Sequence, residues 1–198
     1  MMQTHISLDT MLYQITSLLL EVVAGLLAGT CLLRLYMQYQ RIPMSVRSGN
    51  PLAKFIFALT DWLVLPLRRV IPAVGRWDMA SLVGAFLIQL AQFLILWGIT
   101  GMAANLLSVV VLAGFGLVRM AISGMTVLII IYAVLSWVQT RSIAADFLER
   151  LVMPLLIPIR RVMPLIGGID LSPLVLLLLL QVGGIVLGAL QASVLVAL

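Results

Sequence analysis

Four stretches of this chain run for about twenty residues or more with almost no charge: residues 15–37, 79–100, 119–138 and 173–197. A helix needs roughly 20 apolar residues to cross the hydrocarbon of a bilayer, whereas a barrel strand needs only about 10. Backbone groups in lipid must be paired within the protein, so runs this long are helices. The rest of the composition agrees. The chain is 63% hydrophobic and 10% charged, against roughly 25% charged for an ordinary soluble domain. An all-α membrane protein with four transmembrane helices is the expected fold.

Residues 101–118, GMAANLLSVVVLAGFGLV, are apolar but short and glycine-rich. They suit an interfacial or re-entrant connector, or an extension of the third span. Charge decides against a fifth crossing. Arg41, Arg47, Lys54, Arg68, Arg69 and Arg76 lie between the first and second spans, and Arg141, Arg150, Arg160 and Arg161 between the third and fourth. The 101–118 segment carries none. Basic loops stay on the cytoplasmic side, so four spans put both basic loops in the cytoplasm and both termini outside. The N-terminus, MMQTHISLDTMLYQ, lacks a basic start and a cleavage site, so no removed signal peptide is expected. The net charge of +5 is a topology signal first, and no direct nucleic-acid contact is expected.

The two basic loops are copies. Residues 66–78 read PLRRVIPAVGRWD and residues 158–170 read PIRRVMPLIGGID, 92 positions later. Such self-similarity marks an internal repeat: residues 1–100 form one half, 101–118 a connector, and 119–198 the other. With both loops on one face the duplication is parallel. Upstream of each copy, residues 51–65 and 144–157 mix a few charges with large apolar residues. They read as amphipathic helices at headgroup level, or as short helices packed on the spans.

Pro66 and Pro72 bracket Arg68 and Arg69, and Pro158 and Pro164 bracket Arg160 and Arg161. Residues before proline avoid the helical region, so the arginine pairs are expected in a constrained, largely non-helical stretch. Gly75 and Gly167 permit a tight turn. Asp78 and Asp170 then stand just before an apolar run, either as helix N-caps or as latches for an arginine of the loop. Gln89 and Gln181 each follow their aspartate by eleven residues, close to three turns and a rise of about 16 Å. That places each amide near mid-bilayer, where it needs a partner. The two glutamine faces are expected to meet at the pseudo-symmetric centre, helped by the small residues Gly184, Gly188 and Ala192.

Glu21 and Arg119 are ionisable residues within the first and third spans. Such groups pair, face a cavity or snorkel, and these two are expected to approach each other near the outer side. Arg34 is expected to snorkel at the inner end of the first span. Gly25 and Gly29 form a close-packing motif of low specificity.

Catalytic chemistry is poorly supplied. His5 is the one histidine and Cys31 the one cysteine, placed in an apolar run as a packing residue. There is no metal-ligand cluster, no phosphate-binding glycine loop and no nucleophile elbow. Seven acidic residues provide no carboxylate pair within a span. No enzyme activity, cofactor or metal is expected.

The duplicated P-[LI]-R-R-V-x-P-x-x-G-x-x-D, followed in the second copy by Ser172-Pro173 and a long apolar span, resembles the YggT family, also called YlmG. The first copy departs from the pattern by reading Asp78-Met79-Ala80-Ser81. The resemblance covers nearly the whole chain. It implies a multi-pass protein of the bacterial inner membrane built from two YggT repeats. It also implies a link to osmotic-stress tolerance, cell division or the maturation of membrane complexes, with no single chemistry attached. The expected function is therefore a non-enzymatic scaffold or assembly factor. Arg68, Arg69, Arg160 and Arg161 would bind anionic lipid headgroups or an unidentified membrane-protein partner, at about 1 kcal/mol per basic residue near an anionic surface. The alternatives are a channel or transporter component, with Gln89 and Gln181 lining an ion or osmolyte path, and arginine pairs that serve topology alone. Four spans make a thin bundle, and homo-oligomerisation is a further expectation.

Overall fold

The computed structural model describes residues 2–44, 52–100, 105–138, 142–162 and 170–198. Six helices carry these residues: α1 (Met2–Tyr39), α2 (Ala53–Val70), α3 (Met79–Ile99), α4 (Leu106–Trp137), α5 (Ile143–Val162) and α6 (Ser172–Val196). Four of them are long and apolar enough to cross a membrane: Thr10–Tyr39, Met79–Ile99, Leu106–Ser136 and Ser172–Val196. The chain is an integral membrane protein of the all-α class.

The connector is not a separate element. Residues 106–118 are the first part of α4, which Asn105 starts by accepting a hydrogen bond from the Leu107 amide, 3.2 Å. No charge or proline interrupts the pattern there, so one helix absorbs connector and third span together. Arg119 consequently lies well inside α4 and not near its end. The 31-residue apolar stretch of α4 would measure about 46 Å along its axis. That exceeds the roughly 30 Å hydrocarbon layer, so tilt or protrusion must accommodate it.

The two halves are built alike. In the first, α1 packs on α3 with α2 against both; in the second, α4 packs on α6 with α5 against both. The halves join through α4, which packs on α3 and on α1. The core lies at the arginine-bearing end. Met37 of α1, Ile56 of α2, Ile129 and Tyr132 of α4 and Phe147, Leu151, Val152 and Leu156 of α5 form one buried cluster. A second, around Ala28, Cys31, Val64, Ala80 and Ala85, sits between α1, α2 and α3. The Tyr36 hydroxyl also donates to the Leu151 carbonyl at 2.7 Å, tying α1 to α5.

The amphipathic segments form α2 and α5, and their spacing shows which face goes inward. Ala53, Ile56, Thr60 and Val64 are the buried residues of α2, one stripe at helical period. Phe55 and Trp62 point the opposite way and are exposed, so α2 is apolar on the far face as well.

The arginine pairs are not in a non-helical stretch as the prolines suggested. Both lie in the last turn of a helix that runs through its prolines: Pro66 in α2, Pro154 and Pro158 in α5. An interior proline costs a helix roughly 3 kcal/mol. Here the turn beyond the proline is held from outside, by packing of Val64 and Leu67 and by ion pairs described below. Arginine in a last turn also suits the helix dipole. Beyond α2, Gly75 has φ +63° and opens a two-residue turn closed by paired hydrogen bonds between Val74 and Trp77, 3.0 and 3.1 Å. This is the left-handed position that favours glycine in a tight hairpin. Trp77 packs on Tyr39, ring centroids 4.8 Å apart. Pro164 and Gly167 lie outside the described residues.

Candidate functional site

Each copy of the repeated segment folds into an arginine–aspartate clamp that ties the end of an amphipathic helix to the start of the next span. In the first half Arg68 Nη2 donates to Asp78 Oδ2, and its Nε reaches Asp78 Oδ1 at 3.4 Å. Nη2 also donates to Gln38 Oε1 of α1 at 3.0 Å. In the second half Arg160 donates to Asp170 Oδ2 through Nε, 2.9 Å, and Nη2, 2.5 Å. Its Nη2 also meets the Tyr132 hydroxyl of α4 at 3.1 Å, and its Nη1 lies 2.9 Å from Met153 Sδ. Both clamps therefore join three elements: the amphipathic helix, the following span and the preceding one.

A serine completes each clamp from a different position. Ser81 Oγ donates to Asp78 Oδ2 at 2.7 Å, whereas the Ser172 amide donates to Asp170 Oδ1 at 2.9 Å. The first copy's departure from Ser-Pro thus keeps a serine in contact with its aspartate. Burial works to raise both carboxyls. In Asp78, hydrogen bonds from Arg68 and Ser81 and the charge of Arg68 outweigh it; in Asp170, hydrogen bonds from Ser172 and Arg160 and the charge of Arg160 do so. Both pKa values end below the ordinary carboxylate value. Of the two roles left open for these residues, latch and helix cap, the latch contact is present in both copies.

The second arginine of each pair is placed differently. Arg69 and Arg161 are exposed, and among the described residues neither has an ion pair. A helical step of about 100° turns them away from the clamp.

The intramembrane groups depart from expectation. Gln89 is buried, its Oε1 only 2.8 Å from where a Cβ on Gly116 of α4 would stand. Gln181 is exposed, so the two amides do not meet at a pseudo-symmetric centre. The reason is packing order: α4 covers α3, but α6 packs on α4 and α5 with the far face open. Gly184 and Gly188 have open space around them. Arg119 and Glu21 do not pair either. Arg119 Nη2 donates to Gln191 Oε1 of α6 at 2.7 Å, and Glu21 is exposed on α1. Gly25, one turn beyond Glu21, meets Met120 of α4, which occupies the close-packing site.

Arg34 was expected to snorkel and is instead buried, 2% exposed. Its Nη1 donates to Thr60 Oγ1 and to Asp61 Oδ1, both at 2.6 Å, and its guanidinium lies 5.0 Å from the Phe57 ring centroid. A charge pattern carried this signal: Arg34 is a cation within an apolar span and Asp61 an anion within an amphipathic helix, and each needs a counter-charge. Tyr132 and Gln38, which complete the clamps, had no such signal. Among the described residues no cluster of His, Cys, Asp or Glu fits a metal ion.

The fold and the paired clamps define a duplicated helical membrane protein of two similar units. Comparison with known sequences gives the family: the chain belongs to the CCB3/YggT family, whose pattern it matches over residues 11–99 and again over 111–191. The two matched segments fit a chain of two repeats. Relatives include the uncharacterized protein YggT of Escherichia coli (strain K12), 36% identical over 167 residues, covering 83% of this chain and 84% of the relative. An uncharacterized protein of Vibrio alginolyticus is 34% identical over 175 residues, 87% of this chain and 92% of the relative. One of Haemophilus influenzae is 33% identical over 170 residues, 83% and 87%. No solved structure matches the chain.

Proposed function

We propose that this protein is a non-enzymatic scaffold or assembly factor of the bacterial inner membrane. Both termini are periplasmic and the arginine-bearing end is cytoplasmic, as the positive-inside rule requires. The observation that carries the reading is the division of labour within each arginine pair. Arg68 and Arg160 are engaged by Asp78 and Asp170, and Arg69 and Arg161 project, unpaired among the described residues, from the same end of the bundle. A rigid clamp holds a free guanidinium at a fixed place, which suits a planar, bidentate contact with a phosphate or a carboxylate. The occupants are anionic lipid headgroups and an acidic membrane-protein partner. Osmotic-stress tolerance, cell division and membrane-complex maturation are the processes in which to seek that partner.

The test is co-purification and crosslinking from native membranes in mild detergent. Arg69→Gln with Arg161→Gln removes these two free cations and leaves both clamps, and should strip off the partner and the anionic lipid held at these two positions. Adding Arg68→Gln and Arg160→Gln should lose nothing further beyond stability. Unchanged association in the double variant overturns the proposal, and a silent Arg→Lys exchange at both sites argues for topology alone. Purified protein that passes solute across liposomes would favour the channel reading, which loses support with Gln181 on the outside.

A further inference from the structure

The first half holds a second cationic feature that the repeated segment does not predict. A cleft of about 320 Å³ opens between the end of α1 and α2, lined by Arg34, Gln38, Arg41, Phe57 and Arg68 with the apolar Ile42 and Met44. Three arginines face one small space, and they are unequally satisfied. Arg68 is answered by Asp78 and Arg34 by Asp61. Arg41 is exposed, without an ion pair among the described residues.

Two details mark the cleft as built for an anion. The buried Arg34 Nε has no hydrogen-bond partner, although Nη1 of the same group has two. A buried donor left unpaired is unusual and calls for an explanation. Gln38 uses its Oε1 to accept from Arg68, which leaves its amide NH₂ available as a donor.

The second detail is the backbone of Arg41. The Arg41 amide donates to the Gln38 carbonyl and the Ile42 amide to the Met37 carbonyl, both 3.0 Å, the hydrogen-bond pattern of a Schellman helix end. That motif places its left-handed residue at Arg41, φ +56°. Glycine fits this position without strain, and an arginine there is under steric load. The fold alone would favour glycine at this position.

We propose that this cleft binds the phosphate of an anionic phospholipid headgroup, with Arg41 and the Gln38 amide as donors and the buried charge of Arg34 beside them. Ile42, Met44 and Phe57 supply an apolar wall for the glycerol and the start of the acyl chains. That wall favours a lipid over a soluble phosphate compound. The proposal rests on the headgroup-level placement of this end of the bundle, but it names a single stoichiometric site apart from Arg69 and Arg161.

The test uses the full chain in detergent, titrated with phosphatidylglycerol or with phosphatidylcholine of the same acyl chains, with bound lipid counted by native mass spectrometry. One phosphatidylglycerol per chain should be retained in preference to phosphatidylcholine. Arg41→Gln should weaken it about fivefold or more, and Arg41→Lys should weaken it less. Arg41→Gly is the discriminating variant: it should raise the thermal midpoint by relieving the backbone while losing the lipid as Arg41→Gln does. Arg69→Gln with Arg161→Gln should keep this lipid, so failure here and failure of the partner-binding proposal are separable. Equal binding of the two lipids, retention in Arg41→Gln, or loss in the Arg69/Arg161 variant overturns the site. Displacement of the lipid by millimolar inorganic phosphate would reassign it to a soluble anion and overturn the lipid assignment.

Discussion

The two clamps share a sequence but not a degree of burial, and this should appear as unequal sensitivity to mutation. Asp78 is 1% exposed and its partner Arg68 38%, whereas Asp170 is 22% and Arg160 32% exposed. Replacing Arg68 by Met leaves a carboxylate sealed from water with the Ser81 hydroxyl as its remaining side-chain donor. Removing one partner of a buried pair costs about 3–5 kcal/mol, and the lower end applies because Ser81 stays. Arg160→Met leaves Asp170 able to hydrate, so the cost falls to about 1 kcal/mol, as for exposed pairs. At about 2–4 °C per kcal/mol for a chain of this size, Arg68→Met should lower the thermal midpoint by about 6–12 °C and Arg160→Met by about 2–4 °C. Tryptophan fluorescence of purified protein in one detergent measures both. Asp78→Asn should cost less than Arg68→Met, because the stranded Arg68 reaches water. The penalty should also depend on pH. Both carboxyls have folded pKa values below their unfolded ones, so their stabilisation is present above the unfolded value of about 3.9 and lost as pH falls through the depressed one. Once protonated, Asp78 no longer needs a cation, so Arg68→Met and wild type should converge in acid. Equal losses for Arg68→Met and Arg160→Met, or a pH-independent gap, would refute the argument from burial.

The same measurement checks three further expectations. At the Arg34–Asp61 pair the arginine is the buried member, 3% against 38% exposed, so Asp61→Asn should cost about 3 kcal/mol and Arg34→Met less. Gly116→Ala would set its Cβ 2.8 Å from Gln89 Oε1 and 3.0 Å from the Phe93 ring, and should destabilise by about 1–3 kcal/mol through overpacking. Gly188→Ala meets nothing within 4 Å and should be neutral or stabilising by up to about 1 kcal/mol through helix propensity.

What could be read in the sequence is what local pattern determines. The four apolar runs all became helices, with their C-terminal ends within about two residues of expectation, because hydrophobic length against bilayer thickness leaves little choice. The amphipathic character of α2 and α5 was visible because a few charges stand among large apolar residues. The arginine–aspartate contact was visible because both residues recur in register. Other features were not visible. The start of α4 was obscured because an apolar connector and an apolar span look alike when no polar residue separates them. The helical setting of the arginine pairs was missed because the proline rule is local, and the packing of Val64, Leu67 and Leu156 that overrides it is not. Gln181 was misplaced because the sequence repeat specifies each half and is silent on how the halves meet.

That last point bears on how duplication and asymmetry coexist here. A parallel repeat gives α1 and α4 equivalent roles and α3 and α6 equivalent roles, yet α3 is packed by a span of the other half, α4, whereas α6 packs on α4 and α5 of its own half. Gly116 on α4 admits Gln89 at close range, and nothing among the described residues does the same for Gln181. The asymmetry extends to the arginine end. The clamp of the first half is the more buried, has the neighbouring Arg34–Asp61 pair and opens onto the Arg41 cleft; the clamp of the second half leans on Tyr132 and Met153. Position 60 contributes the hydroxyl that meets Arg34, and its counterpart 92 residues on is Val152, a buried core residue. One half has thus kept polar groups where the other has filled the same place with packing.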